Sequence, residues 1–361
     1  MNKGYFNTDI GKKILVIGSP GSGKSTFARK LSAVMKLPLF YLDMIWHKED
    51  KTNVEREVFD EELEKILERD CFIIDGNYKR TLEKILAVSD TVFLFDLPVE
   101  ECLEGVRNRI GTKREDLPWI EEEEDPEFMD YIRDFPKEQM PKMSELLDRY
   151  SDRVHLIVFR SRKEADNFIE ELEKQICETK VSFLAERSIR KAVPEDLDTL
   201  MEIYAHARDY MASTGNPDQW GKNKWPPRNV VEEDIQEGKS HVLEEKGDIK
   251  AVFYLDYGYH IDPCYDYIEN GEWMIDTPYA VIHRIAVKEN GKGYGARCIE
   301  AVYDLYGHAR MDTHPDNTVM QHVLTKLGFS YQGIIYVKQD PDPRYAFEIA
   351  KKEDEGSGSI L

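Results

Sequence analysis

The apolar run "KILVI" at Lys13–Ile17 leads straight into Gly18-Ser19-Pro20-Gly21-Ser22-Gly23-Lys24-Ser25, and a helical pattern follows. No other stretch limits the fold as strongly. The spacing GxxxxGK followed by Ser or Thr marks a turn whose glycines let the backbone wrap an anion with its N–H groups inward. The helix that opens there adds partial positive charge. In this frame Gly18, Gly21, Ser22, Gly23, Lys24, Ser25 and Thr26 form a phosphate cradle. Lys24 reaches the terminal phosphate oxygens, and Ser25 can ligate Mg2+. The bland alternative is a glycine-rich turn that binds nothing. The strand before it and the helix after it speak against that.

Around the cradle, short apolar runs alternate with helical patterns, the mark of a parallel sheet with crossover helices. The expected strands are Lys13–Ile17, Leu39–Leu42, Phe72–Ile74, Thr91–Asp96 and Val154–Phe159. Helices are expected over Lys24–Met35, Arg56–Arg69, Thr81–Ala87, Val99–Ile110 and Lys163–Cys177. The acidic, proline-broken segment 112–145 reads as a lid over a site. Near 178–188 the pattern restarts, which gives an expected division into domains at 1–178 and 187–351. The second half reads as a meander of strands (His241–Glu245, Lys250–Tyr257, Val281–Val287) and then helix Tyr294–Tyr306. Strand Ala309–Thr313, helix Thr318–Leu327 and strands to about Val337 complete an α+β or mixed sheet.

The net charge of −21, from 49 basic and 70 acidic residues among 361, makes general binding of nucleic acid or anionic membrane unfavourable. The five cysteines are scattered with no CxxC pair, which points to reduced thiols and a cytoplasmic location. No apolar run approaches the ~20 residues of a membrane span. The N-terminal "MNKGYFNTDIGKK" has no apolar signal core, and the tail "EDEGSGSIL" reads as lying outside the fold. Oligomeric state is not written in the sequence.

Within the first half there is no NKxD-type segment of the kind that reads guanine. Instead "LDMIW", "IIDGNYKRT" and "FDLPVEECLEGVRNR" each follow an apolar strand, at the sheet edge where α/β proteins bind ligands. Of these, "LDMIW" and "IIDGNY", together with "GSPGSGKST" and "FRSRKEADNFI", resemble the topology-modulation (FlaR-type) P-loop proteins, which are allied to adenylate kinases. The resemblance implies a three-layer P-loop NTPase domain and an ATP-dependent kinase of a small, nucleoside- or nucleotide-like phosphoryl acceptor. Asp75 would orient Mg2+, and Asp43 would act as base toward the acceptor hydroxyl. Arg107 and Arg109 would neutralise the transferring phosphoryl group, with Arg114 and Arg133 as weaker candidates. Arg80 would touch phosphate and Trp46 would stack on the acceptor. The family label also implies an effect on DNA, to which the acidic balance lends no support.

A second glycine-rich turn, Asn290-Gly291-Lys292-Gly293-Tyr294-Gly295, follows the strand "YAVIHRIAV" and opens a helix. Alone it also fits a dinucleotide loop, with Asp312 near the acidic position that such a loop needs. Together with "IRKAVPEDLDTLMEIY" and "DTHPDNTVMQHVLTKLGF" it resembles the GNAT N-acetyltransferases. The resemblance implies an α+β acyltransferase domain in which Gly291, Lys292, Gly293, Tyr294, Gly295 and Ala296 hold the pyrophosphate of acetyl-CoA. Ile285, Ala286 and Val287 would lie along its pantetheine arm, and a main-chain N–H there would polarise the thioester. Asn317 would contact the cofactor. A small-molecule or peptide amine would be the acceptor. His283 or Asp256 would be the base, and Trp220 and Trp225 of "GNPDQWGKNKWPP" would line the acceptor pocket. The position from which a tyrosine often protonates the departing thiolate falls at Leu324, which leaves Tyr331, Tyr336 or water. A bifunctional enzyme is the leading expectation. An ATP- and acetyl-CoA-binding sensor is the alternative.

Overall fold

The computed structural model describes residues 10–221, 224–338 and 340–351. The expectations placed on the N-terminal segment and on the tail therefore lie largely outside the described residues, as do Lys222 and Asn223 of the tryptophan segment. The chain divides into two compact units, one ending at Lys174 and the other running on from Gln175.

The first unit runs β1 (Lys13–Gly18), α1 (Lys24–Met35), β2 (Leu39–Tyr41), α2 (Leu42–Trp46), α3 (Arg56–Leu67), β3 (Phe72–Asp75), α4 (Leu82–Leu86) and β4 (Thr91–Phe95). It continues through α5 (Val99–Arg107), α6 (Pro126–Glu138), α7 (Met140–Arg149), β5 (His155–Phe159) and into α8 (Arg162–Ala185). The five strands form one sheet in the order β2-β3-β1-β4-β5, parallel throughout. Ile14, Leu15, Val16 and Ile17 are fully buried, which is why this strand is apolar without alternation. Leu15, Ile17, Phe59, Phe72 and Ile74 pack on one face. On the other face, the ring of Phe27 meets those of Phe93, Phe95 and Phe159 at 4.8–5.4 Å.

Two expectations change here. "LDMIW" is a five-residue helix directly after β2, with Leu42 buried, so Asp43 is helical rather than a strand-end residue. The segment read as a lid is divided: its Phe135 and Met143, with Leu146 and Leu147 just beyond it, join the main core. An amphipathic face that can be buried stays buried, so α6 and α7 are a structural layer.

In the second unit, β6 (Ile189–Lys191), α9 (Leu197–Ser213), α10 (Arg228–Gln236), β7 (Ser240–Glu245), β8 (Asp248–Gly258) and β9 (Tyr279–Val287) come first. They are followed by α11 (Tyr294–Tyr306), β10 (His308–Thr313), α12 (Thr318–Lys326), β11 (Ser330–Val337) and β12 (Asp340–Ala350). The seven-stranded sheet has the order β11-β12-β10-β9-β8-β7-β6. Only β9 and β10 are parallel, joined by the crossover helix α11. One face packs on Ile299, Val302 and Leu305 of α11, the other on Leu200, Ile203 and Tyr204 of α9. β12, which the sequence reading missed, sits between β10 and β11. Its opening "DPDP" suppresses a strand reading, because proline cannot donate to a ladder.

Two irregularities shape this second sheet. β9 and β10 pair only at Ala280–Ala309 and Val281–Arg310, and no further pairing follows. Opposite β8 the register slips between Val252 and Tyr254, and Arg284 sits at φ 50°. This is a β-bulge, a device that turns side chains and bends a strand beside a site.

Candidate functional sites

The carboxyl end of β1 lies where the winding of the first sheet reverses, between β3 and β4. The cradle occupies that end. Gly23 caps α1 at φ 99°, so the helix starts on Lys24. Asn77 of "DGNY" clamps the loop: its carbonyl accepts from the Gly18 amide at 2.9 Å, and its amide donates to the Gly18 carbonyl at 2.5 Å. From the other side, Arg162 donates to the carbonyls of Gly21 (2.9 Å) and Glu101 (2.6 Å). Neither Asn77 nor Arg162 was singled out from the sequence.

A cavity of about 590 Å3 opens on this loop. Its lining includes Gly21, Gly23, Lys24, Ser25, Thr26, Arg109, Arg114, Asp116 and Arg162. Arg114 pairs with Asp116 at 2.5 Å and with Glu121 at 2.8 Å, and Arg109 pairs with Glu121 at 2.8 Å. Asp75 ends β3 at 5% exposure, and one of its carboxylate oxygens has no hydrogen-bond partner. The Ser22 hydroxyl is likewise buried and unpartnered. Burial pushes Asp75 up to about 6 against the pull of Lys24 and Ser25. Burial also raises Asp116, but Arg114 and Ser25 outweigh it and hold the group at about 2. Ser25 thus sits between two carboxylates. Two orphaned buried oxygens beside a lysine and an inward-turned loop suit a polyphosphate with a divalent cation.

Other sequence candidates lie elsewhere. Arg107 is half exposed and pairs with Glu124 at 2.8 Å. Arg80 makes a two-pronged pair with Asp60 at 2.6 and 2.7 Å. Arg133 pairs with Asp130 on an exposed face of its own helix. Asp43 accepts from the Tyr78 hydroxyl at 2.8 Å, and Trp46 packs edge-on against Phe59 at 5.4 Å. None of these five is among the residues lining the cavity.

In the second unit the divergence of β9 from β10 opens a cavity of about 400 Å3. Its walls include Ile282, His283, Arg284 and Ile285 from β9, Met311, Asp312 and Thr313 from β10, and Asp262, Trp220, Trp225 and Asn317. The glycine-rich turn adjoins it through Ile285: a Cβ on Gly295 would lie 3.8 Å from Ile285 and 3.7 Å from Val287. Gly293 is the left-handed cap of α11 at φ 76°, and a Cβ there would meet nothing within 4 Å. Gly291, Lys292, Tyr294 and Ala296 complete this turn and the first helical residues. Ala286 is buried, and Val287 pairs with Ala251 of β8. A helix N-terminus with open space over it suits an anion held by main-chain N–H groups alone. Asn317 caps α12 by accepting from the Met320 amide at 3.1 Å, and it donates to Gln219 at 2.9 Å.

His283 is part of this cavity wall. Its Nε2 lies 2.8 Å from an Asp262 oxygen, and its Nδ1 lies 3.4 Å from an Asp312 oxygen. Asp312 also accepts from the buried Tyr265 hydroxyl at 2.9 Å. Burial pulls His283 down, but the two carboxylates outweigh it and push it up to about 9. The other base candidate, Asp256, is tied to Lys239 at 3.1 Å and to the Tyr257 amide at 2.8 Å, away from the cavity lining. Leu324 is fully buried, Tyr336 donates to Glu269 at 2.8 Å, and half-exposed Tyr331 packs on Tyr345. None of those three lines the cavity. Among the described residues, no helix is long and apolar enough to cross a membrane.

No family model and no curated protein matches the chain. Solved structures do. An acetyltransferase of the GNAT family from Streptococcus agalactiae 2603 is 32% identical over 46% of this chain and 95% of its own, with a TM-score of 0.42. One from Bacillus cereus ATCC 10987 is 20% identical over 46% of this chain and 97% of its own, with a TM-score of 0.30. An aminoglycoside N(6')-acetyltransferase from Legionella pneumophila is 13% identical over 45% and 90%, with a TM-score of 0.33.

Proposed function

We propose that the unit from Gln175 onward is an N-acetyltransferase that takes acetyl-CoA and a small amine. The observation that carries this is the joining of two features through Ile285: a helix-opening glycine turn, and a cavity between strands that diverge. The turn offers main-chain N–H groups to a pyrophosphate. The adjoining cavity, lined by aromatic and acidic groups, has room for a thioester and an amine. Its acidic lining favours a cationic acceptor, and an aminoglycoside acetyltransferase is among the similar structures. The acetyl group comes from the cofactor. This chain's residues bind it, orient it and manage the proton.

We further propose that the first unit binds ATP with Mg2+ and transfers its terminal phosphate to a small hydroxyl compound. Support comes from the cradle, the buried orphan oxygens of Ser22 and Asp75, and four arginines at the cavity wall, Arg29, Arg109, Arg114 and Arg162. Ser25 and Asp75 would hold the cation. The doubly clamped loop gives the N–H groups a fixed aim, which phosphoryl transfer requires.

The test is a pair of assays on the full chain. Thiol release from acetyl-CoA is followed across aminoglycosides, polyamines and peptides with a free N-terminus. ADP release from Mg·ATP is followed across nucleosides, nucleoside monophosphates and aminoglycosides, with Lys24→Ala alongside. Acceptor-dependent thiol release supports the acetyltransferase. Acceptor-dependent ADP release lost in Lys24→Ala supports the kinase. Tight binding of both cofactors with no turnover refutes both readings and leaves a sensor.

A further inference from the structure

In the second unit's cavity, both ring nitrogens of His283 face carboxylates, Asp262 at 2.8 Å and Asp312 at 3.4 Å. A carboxylate only accepts, so each nitrogen must carry a hydrogen for both contacts to be favourable. The Asp262 contact fixes a hydrogen on Nε2, and a second carboxylate facing Nδ1 favours the imidazolium, the form with no lone pair to act as a base. Burial opposes that charge and Arg344 lines the same cavity, but the two carboxylates outweigh the burial. Tyr254 of β8 presents its ring at 5.8 Å, and Tyr265 reaches the site through Asp312. The neighbouring Arg284 is turned away, with its guanidinium on Asp234 at 2.8 and 3.0 Å and against the Tyr254 ring at 4.4 Å.

The two contacts are unequal. Asp262 is fixed from behind, because its other oxygen accepts the Cys264 amide at 2.9 Å, so the Nε2 hydrogen is firmly held. Asp312 already takes the Tyr265 hydroxyl on the oxygen that faces Nδ1, and the 3.4 Å gap there is longer than a good hydrogen bond. The Nδ1 hydrogen is the one a group in the cavity can draw away.

We propose that His283 is the proton donor to the thiolate leaving acetyl-CoA, with Asp262 and Asp312 as the positioning residues that keep it charged. This rests on the acetyltransferase reading. It fills the gap left by Leu324, which is apolar and fully buried. The proton balance closes. A neutral amine attacks the thioester carbonyl, the C–S bond breaks, and the thiolate takes the Nδ1 proton to give the thiol. The proton shed by the new amide nitrogen then returns to the neutral imidazole.

The experiment uses hydroxylamine as nucleophile, because it is already unprotonated near neutral pH and needs no base. Two acetyl donors are compared: acetyl-CoA, and the thioester of a nitro-substituted thiophenol, whose thiolate leaves without a proton. Wild type, His283→Gln and Tyr254→Phe are assayed, with circular dichroism as a fold control. His283→Gln should lose about 100-fold with acetyl-CoA and less than about 3-fold with the aryl thioester, the range expected for one general acid. Tyr254→Phe should keep the wild-type donor dependence. Nitrogen-15 NMR of the full chain at pH 7.5 should show His283 protonated on both nitrogens. Equal losses with both donors, a neutral ring by NMR, or no enzyme-dependent hydroxylaminolysis of bound acetyl-CoA would each overturn the proposal. If acetyl-CoA does not bind at all, the acetyltransferase reading itself has failed.

Discussion

Replacing Glu348 with glutamine should destabilise the second unit by about 3 kcal/mol. Glu348 is fully buried on β12. One of its oxygens faces His308 Nε2 at 2.7 Å and accepts from Arg310 Nε at 3.0 Å, while the other accepts the Met274 amide. Arg310 also donates to the Ile275 carbonyl at 2.8 Å and lies between the Trp273 and Tyr279 rings, at 4.2 Å from each. Glutamine keeps the shape but removes the charge, and its NH2 must face one of three donors. Breaking a buried ion pair from one side costs about 3–5 kcal/mol, because the other charge stays buried and uncompensated. At a urea slope of ~2 kcal/mol/M, the loss lowers the midpoint by about 1.5 M. The assay is urea unfolding of the full chain with 5-fluorotryptophan, read by fluorine NMR at the resonance assigned through Trp273→Phe. A second variant, Glu348→Leu with Arg310→Met, removes both charges and should lose less than Glu348→Gln, since an apolar pair of similar volume often replaces a buried ion pair at little cost. His308 and Arg310 hold Glu348 below the usual range, although burial alone would raise it. A depressed carboxyl stabilises above its unfolded value and loses that contribution as pH falls through the folded one. The gap between wild type and Glu348→Gln should therefore narrow in acid. A midpoint within about 0.3 M of wild type, or a gap that widens in acid, would refute the reasoning.

The two glycine turns should respond differently to alanine. In Gly21→Ala the new Cβ would lie 2.1 Å from the Cys102 carbonyl oxygen, so thermal melts should show the first unit unfolded or severely destabilised. Gly293→Ala meets no neighbour and should cost only the left-handed backbone strain, about 1–2 kcal/mol, while weakening acetyl-CoA binding measured by calorimetry. Asn77→Ala removes both bonds to Gly18 and should loosen the cradle by about 1–3 kcal/mol; hydrogen exchange at the Gly18 amide would report it. His283, raised to about 9 and one-fifth exposed, should contribute about 3 kcal/mol below pH 6.5. That contribution should fade as pH climbs through 9, so the stability advantage of wild type over His283→Gln shrinks between those values.

Local rules made much of the fold legible. α1 and α11 start where expected because each opens on a left-handed glycine cap, Gly23 and Gly293, after an apolar strand. The central strands β1, β3 and β4 were visible as continuous apolar runs because both their faces are covered, while the edge strand β5 is apolar although Leu156 and Val158 are exposed. What escaped depends on tertiary partners. Nothing in "LDMIW" distinguishes a strand end from a one-turn helix until Leu42 finds its place in the core. Asp262, His283 and Asp312 come from a loop, a bulged strand and a splayed strand, and no linear spacing groups them. The arginines of the first unit show the same limit. Their place in the chain after β4 was readable, but Arg107 closes α5 and finds Glu124 outside the cavity lining, while Arg109 and Arg114, past the end of that helix, line the cavity and share Glu121.

The two helix-opening turns use one physical device, yet their surroundings ask for different anions. Around the first turn, Lys24, Arg109, Arg114 and Arg162 all border the cavity, and the loop is fixed by Asn77 and Arg162. Such a rigid, cation-lined cradle is suited to a ligand carrying several charges whose positions matter. Arg109 and Arg114 are each already paired with an acid, so an incoming polyphosphate must displace Glu121 or Asp116 before it gains their full attraction. That exchange sets a threshold of charge, which a single phosphate meets less well than a triphosphate. At the second turn, Arg297 at the start of α11 is held by Glu245 on β7. Main-chain N–H groups and a helix dipole there supply a modest field, worth about 0.3–1 kcal/mol at an exposed helix end. On the proposed acetyltransferase reading, most of the affinity for acetyl-CoA would then come from the rest of its length, along Ile285–Val287 and into the cavity beyond.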